Sequence, residues 1–346
     1  MQFFLGHLAS QLAFVFLGAL VLCAGLIKFA LPLAARLAIA IPNARSSHKV
    51  PTPQSGGLFL SATIILLGAG VAIAWPDMQT SIIIVLIAIT LLAMMGWCDD
   101  RWGLPVWFRL LCFTSVSLVY ALYQDHSFLG LPNSPWLGHM LAAFFVLSMI
   151  NVTNFMDGID GMVVAEFVPM LMMLVVLAAL GAFGPLSGFL AASLAGALLG
   201  FFVFNRPVAR IFLGDSGSLV VGFLSAVLLL EFARDYGAAL AVILPLYFLT
   251  DAGLTLARRI LRGERIWIAH REHFYQRAID AGQSNWSIIG WVAVCNVGLS
   301  ALAFGAVTQG PMREWPVMIV SLVMVAFLMT FLLRSRLLAQ GKVLGE

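Results

Sequence analysis

Five aspartates and two histidines stand in short polar clusters within an otherwise apolar chain. Asp99 and Asp100 are adjacent in Trp97-Cys-Asp-Asp-Arg-Trp-Gly. Two carboxylates at the C-terminal end of a helix oppose its dipole and each other, and a divalent cation or a shared proton relieves both conflicts. A solvated acidic helix end beside Arg101 is the bland alternative. Asp157 and Asp160 close the run Asn151-Val-Thr-Asn-Phe-Met-Asp-Gly-Ile-Asp-Gly161. Three-residue spacing puts Asn151 with Asn154, and Asp157 with Asp160, on one face if the helix persists. The glycines let a ligand approach the backbone closely. Asp215 lies in Asn205-Arg-Pro-Val-Ala-Arg-Ile-Phe-Leu-Gly-Asp-Ser-Gly-Ser218. It reads either as a helix N-cap or as part of a glycine-rich turn whose free amides bind phosphate, with Mg2+ (or Mn2+ in its place) alongside.

His270 and His273 are three apart in His-Arg-Glu-His-Phe-Tyr-Gln-Arg277, with Arg271 between them. No third zinc ligand stands at suitable spacing. Phosphate or pyrophosphate binding fits the basic surroundings better, with contact to anionic lipid as the alternative. In the stretch 42–57, Arg45, His48 and Lys49 are candidate anion contacts, unless they serve only to set orientation in the membrane. Asp251 follows Pro245 by six residues and is read as pairing with Arg258 or as supporting a site. Glu166 is expected at an interface, and Lys28 has no assigned role.

These clusters must be held by membrane-spanning helices. Of the 346 residues, 62% are hydrophobic and only 10% are charged; an average soluble domain is about 25% charged. A soluble globule cannot hide that much apolar surface. The composition excludes a secreted domain, a nucleic-acid binder and a disordered chain. Long solid apolar runs exclude a β-barrel, whose strands alternate. The fold class is therefore all-α, a polytopic transmembrane helix bundle read as one domain over 1–346. Eleven runs reach roughly the 20 residues a helix needs to cross, at about 12–35, 57–75, 80–97, 106–123, 137–155, 163–183, 186–204, 217–232, 238–257, 286–308 and 317–333. The four cysteines sit apart in apolar runs and read as small hydrophobes.

Orientation follows from the basic residues. With the N-terminus outside and the C-terminus cytoplasmic, sixteen of the nineteen Lys and Arg fall inside, two (Arg234 and Arg313) fall outside, and Lys28 lies within the first span. That is the positive-inside pattern. It also places all the polar clusters on the inner face. Carboxylates, phosphate-type turns and a basic loop on one face are the equipment of Mg2+-assisted phosphoryl transfer. A transporter of anionic lipids or nucleotides is the rival from another class, but its polar groups would lie near the midplane of repeated halves, and no repeat is seen.

Together NxxNFMDGIDG and NRPxxRIFLGDSGS make this sequence resemble the polyprenyl-phosphate N-acetylhexosamine-1-phosphate transferases, glycosyltransferase family 4. These include the O-antigen and common-antigen initiating enzymes and phospho-N-acetylmuramoyl-pentapeptide transferase, the alternative activity. The resemblance runs from about Pro42 to Gly282. It implies a helical bundle in the bacterial inner membrane, often a homodimer, with a cytosolic cleft. It implies transfer of a HexNAc 1-phosphate from a UDP-N-acetylhexosamine or 6-deoxy derivative to undecaprenyl phosphate, with release of UMP. Asp99 and Asp100 match the family's aspartate pair, with Asp99 favoured to deprotonate or orient the lipid phosphate. Asp215 matches the Mg2+ ligand, helped by Asp99 or Asp100. Asn205, Phe212, Asp157 and Asp160 match positions around the nucleotide. His270 and His273 match a variable motif near the pyrophosphate, and Lys49 falls near a basic first-loop position. His270-Arg-Glu-His-Phe-Tyr-Gln276 is similar to the form found in O-antigen initiating transferases. Gln54 departs from the basic residue often seen after Pro-Thr-Pro.

Overall fold

The computed structural model describes residues 2–37, 39–40, 51–123, 134–265, 267, 270–309 and 314–343. His48 and Lys49, expected to contact an anion, lie outside the described residues. Thirteen α-helices run through the described chain: α1 (Gln2–Leu37), α2 (Gly56–Ala74), α3 (Gln79–Trp102), α4 (Val106–Tyr123), α5 (Pro135–Met156), α6 (Met162–Ala179), α7 (Pro185–Asn205), α8 (Asp215–Tyr236), α9 (Ala238–Ile243), α10 (Leu246–Leu261), α11 (Phe274–Asp280), α12 (Asn285–Gln309) and α13 (Glu314–Val343). Two short strands, β1 (Ile39–Ala40) and β2 (Thr52–Pro53), pair antiparallel at either end of the stretch between them.

Ten of these helices are long and apolar enough to cross a bilayer. Inside lipid every backbone polar group needs an internal partner, and a sealed helix supplies it. Proline opens α5 and α7, at the first helical position where no N–H is needed. Gly103, at φ +67°, closes α3 in the left-handed conformation that a residue with a Cβ resists.

The expected ninth span, 238–257, is not one helix. It breaks at Leu244-Pro245 into α9 and α10, because proline has no N–H to donate and its ring clashes with the preceding turn. The break frees backbone N–H groups, and Glu166 takes one of them. Its Oε1 accepts from the Phe248 N–H at 3.2 Å, and its Oε2 accepts from Asn296 Nδ2 at 2.7 Å. Glu166, expected at an interface, is instead 1% exposed, between α6, α10 and α12.

The most enclosed helices are α6, α7 and α8. α1 lies along α7, and α8 packs against α3 and α5. Small residues permit these approaches, as is usual where lipid offers no hydrophobic drive between helices. A methyl added at Gly196 would come within 2.2 Å of the Phe16 carbonyl oxygen, and one at Gly96 within 2.4 Å of the Asp215 carbonyl carbon. The close crossing of α3 and α8 brings the C-terminal end of one to the N-terminal end of the other. All four cysteines are free, with Cys98 and Cys112 only half-buried.

Candidate active site

The site assembles where α3, α5 and α7 end and α4, α6 and α8 begin. Asp99 sits in the last turn of α3. Its Oδ1 accepts the Leu104 N–H at 2.6 Å, across the turn that Gly103 makes, and its Oδ2 accepts from Arg109 Nη1 at 2.7 Å. The Asp99 side chain is 6% exposed and that of Arg109 is 30% exposed. Arg109 Nη1 also lies 3.9 Å from Asp215 Oδ2. One guanidinium thus stands between the first aspartate pair and the third motif.

Asp100 points across to α8. Its Oδ1 accepts the Asp215 N–H at 3.1 Å and its Oδ2 the Ser216 N–H at 3.3 Å. Gln54 Nε2 donates to Oδ1 at 2.7 Å. A helix begins with unpaired N–H groups and partial positive charge, and a carboxylate satisfies both. Asp215 is therefore not the N-cap of α8. Gly214, at φ +69°, holds that place, and Asp100 caps the helix from another element. The expectation that this turn offers free amides to a phosphate is corrected: Asp100 takes two of them, and the Gly217 and Ser218 N–H groups bond to the Gly214 carbonyl.

Asn154 joins the second motif to this pair. Its Nδ2 donates to Asp215 Oδ1 at 2.7 Å and to Ser218 Oγ at 3.1 Å. Asn151 is not drawn in; its Nδ2 turns back on its own helix to the Leu147 carbonyl at 2.8 Å. Asp157 and Asp160 do not share a helical face either, because α5 ends at Met156 and both lie in the turn before α6. Asp160 Oδ2 accepts the Ala209 N–H at 3.1 Å. Burial, then the charges of Asp100 and Asp160, push the Asp157 carboxyl up to about 8. Those same influences place Asp100, Asp157 and Asp160 in one electrostatic neighbourhood.

Asn205 stitches two loops together. Its Oδ1 accepts the Gly161 N–H at 2.8 Å and its Nδ2 donates to the Ile211 carbonyl at 2.9 Å. Phe212 is half-buried, and its backbone bonds to Pro53 and Gly56, which fastens this loop to the stretch leading into α2.

The histidine motif forms a second lobe. The His270 and His273 rings are 5.0 Å apart, and His273 stacks on Tyr275 at 5.8 Å with 15° between planes. Burial first, then the proximity of His273 and Arg259, pulls the His270 imidazole down to about 4, so it is neutral near pH 7. The expected basic loop is largely neutralised. Arg259 and Arg262 pair with Glu264 and Glu272, and Arg271 pairs with Asp280 at 3.2 Å. Asp251 does not pair with Arg258, which lies 4.6 Å over the Phe274 ring; it faces His273 instead. The Tyr275 hydroxyl reaches the Phe155 carbonyl at 3.4 Å and touches Gly158. The histidine lobe therefore abuts the turn that carries Asp157.

Arg109 escaped the sequence reading. Its only signal was a basic residue one short turn beyond the aspartate pair, where Gly103 and Pro105 reverse the chain. Lys28 is exposed on α1, away from these contacts.

The donor set can be tested against a cation. Asp99, Asp100 and Asp215 offer oxygens only, which suits a hard cation such as Mg2+. Among the described residues no three His, Cys, Asp or Glu side chains are placed to enclose a metal unaided. Mg2+ normally takes one or two carboxylates and completes its shell with water and substrate phosphate, so the residues fit a cation that arrives with a phosphorylated ligand.

Three motifs far apart in sequence thus meet at one end of a helix bundle. Residues 82–233, which carry all three, match the profile of glycosyl transferase family 4. Over that stretch the chain is similar to that family. It is 27% identical over 321 residues to a decaprenyl-phosphate N-acetylglucosaminephosphotransferase of Mycobacterium tuberculosis (strain ATCC 25618 / H37Rv), covering 80% of this chain and 77% of the relative. It is 26% identical over 282 residues to a phospho-N-acetylmuramoyl-pentapeptide-transferase of Limosilactobacillus reuteri (strain DSM 20016), covering 76% and 84%. A relative of the latter name from Enterococcus hirae is 27% identical over 277 residues, covering 74% and 85%. The chain is a multi-pass membrane protein, with its motifs at one end of the bundle.

Proposed function

We propose that this protein transfers a HexNAc 1-phosphate from a UDP-sugar to undecaprenyl phosphate, releasing UMP and leaving a lipid-pyrophosphate-linked sugar. The observation that carries this reading is the Asp99–Arg109–Asp215 contact, which sets an acidic pair and a guanidinium together at one end of the bundle. A guanidinium recognises phosphate through several donors, and Nη1 is only one of its two terminal nitrogens. Arg109 receives the lipid phosphate, and Asp99, bonded to it, orients that phosphate and accepts its proton. A lipid phosphate oxygen attacks the β-phosphorus of the UDP-sugar. The bond from that phosphorus to the bridging oxygen breaks, and the bridging oxygen leaves with UMP. When Mg2+ is bound, it polarises the phosphate oxygens and offsets their charge, with Asp215 and Asp100 as its protein ligands. Asn154 fixes the Asp215 carboxylate, and Asp157 and Asp160 lie beside the nucleotide.

The names of the relatives support a polyprenyl phosphate as acceptor and an amino-sugar phosphate as the transferred group. The positive-inside pattern supports a site facing the cytoplasm, the family resemblance supports a bacterial inner-membrane location, and the O-antigen-like histidine motif supports a role in starting a cell-surface polysaccharide. The purified protein in detergent, given undecaprenyl phosphate, Mg2+ and a panel of UDP-HexNAc donors, should release UMP. Release only with UDP-N-acetylmuramoyl-pentapeptide would move it to the muramoyl-pentapeptide branch. No release with any donor, together with vectorial movement of nucleotide or lipid in vesicles, would replace the enzyme with a transporter.

A further inference from the structure

Asp251 is a carboxylate with no exposed surface, and it lies in α10, the second half of the broken ninth span. Burying a carboxylate is expensive unless its oxygens are satisfied. Here they are satisfied by one cluster of donors. Oδ1 lies 3.1 Å from His273 Nδ1, accepts the Phe274 N–H at 3.0 Å and lies 3.4 Å from Thr255 Oγ1. Oδ2 accepts from the Tyr247 hydroxyl at 3.3 Å and the Tyr275 N–H at 3.4 Å. Three of these five contacts go to consecutive residues of the histidine motif. The opening amides of α11 are thereby spent on Asp251 and are not free for an anion.

The pairing also decides the chemistry of the ring. An ionised carboxylate accepts and does not donate, so facing one His273 presents Nδ1–H. That leaves Nε2 as the working nitrogen, since the hydrogen bond at one ring nitrogen fixes the role of the other. The ring stacks on Tyr275 and lies 5.0 Å from the tilted ring of His270. The His273 N–H bonds to Gln276 Oε1 at 3.2 Å, which fixes the backbone as well. Glu166 clamps the same helix one turn earlier, at Phe248.

We propose that Asp251 is a positioning residue: it sets the tautomer and the plane of His273, and through the contact between the two imidazole rings the place of His270, so that the motif meets the pyrophosphate of the sugar donor. The functional half of this rests on the transferase reading above. The structural half does not.

Two measurements separate them. Nitrogen-15 NMR of the histidine-labelled protein in detergent, with His273 assigned by its loss in His273→Gln, should show the Nδ1-protonated form at neutral pH. An Nε2-protonated ring facing Asp251 overturns the proposal whether or not the protein is a transferase. Steady-state kinetics on Asp251→Asn should show KM for the UDP-sugar raised about tenfold or more, with KM for the lipid phosphate within about twofold, because a displaced contact group weakens only the ligand it meets. Asp251→Glu should recover part of the loss. Partial misfolding would lower the rate and leave both KM values alone, and unchanged KM for the UDP-sugar in a folded Asp251→Asn variant overturns the proposal. A wild-type protein without transferase activity would instead sink the transferase reading, with the NMR result still standing.

Discussion

Asp100 on α3 holds the first N–H of α8, that of Asp215, at 3.1 Å. Two residues 115 positions apart thus share one hydrogen bond at the centre of the site, and each has a further partner: Asp100 accepts from Gln54, and Asp215 accepts from Asn154.

This relationship makes Asp100→Asn and Asp215→Asn informative. In Asp100→Asn an amide replaces one acceptor oxygen and turns donors toward the N–H groups of Asp215 and Ser216. In Asp215→Asn the α8 cap survives but one anionic oxygen is lost. Both variants should remain folded by circular dichroism, and UMP release should fall by at least about 100-fold. Excess chelator should abolish release in the wild type and added Mg2+ restore it. Full turnover in chelator would remove the cation from the mechanism.

Arg109 should tolerate replacement poorly. Arg109→Ala leaves the Asp99 carboxylate, 6% exposed, without its cation, and unpairing a buried charge is strongly destabilising. UMP release should fall at least about tenfold, with KM for the lipid phosphate raised. Arg109→Lys should keep the charge but lose the fork geometry, and so fall between. Michaelis–Menten analysis with varied undecaprenyl phosphate checks the order.

Gly96→Ala tests the crossing that delivers Asp215 to Asp100. The added methyl would stand 2.4 Å from the Asp215 carbonyl carbon, which is backbone and cannot step aside. Overpacking of this kind costs about 1–3 kcal/mol. The melting temperature should drop and activity should fall with it. Gly290→Ala, where a methyl meets open space, should leave both within error.

His270 gives a pH signature. Its imidazole is pulled down to about 4 in the folded protein by burial, then by His273 and Arg259, against about 6.5 unfolded. Between these values the unfolded chain binds the proton and the folded one does not, so stability falls as pH falls from about 6.5 to 4. His270→Gln should flatten that part of a plot of melting temperature against pH. An unchanged slope would place the titrating group elsewhere.

The sequence by itself determined the spans and the motifs. Apolar runs of crossing length and the aspartate clusters at helix ends are local features, fixed by what lipid and backbone hydrogen bonding allow within one segment. Which groups meet was decided only by the tertiary structure. Asp100 as the cap of α8, Arg109 between Asp99 and Asp215, Asp251 beneath His273 and Glu166 across from Asn296 are pairings between helices. They depend on where small residues let backbones cross. No periodicity within one helix records its partner's register, so a lone carboxylate such as Glu166 or Asp251 looks the same in sequence whether it faces water or closes a buried network.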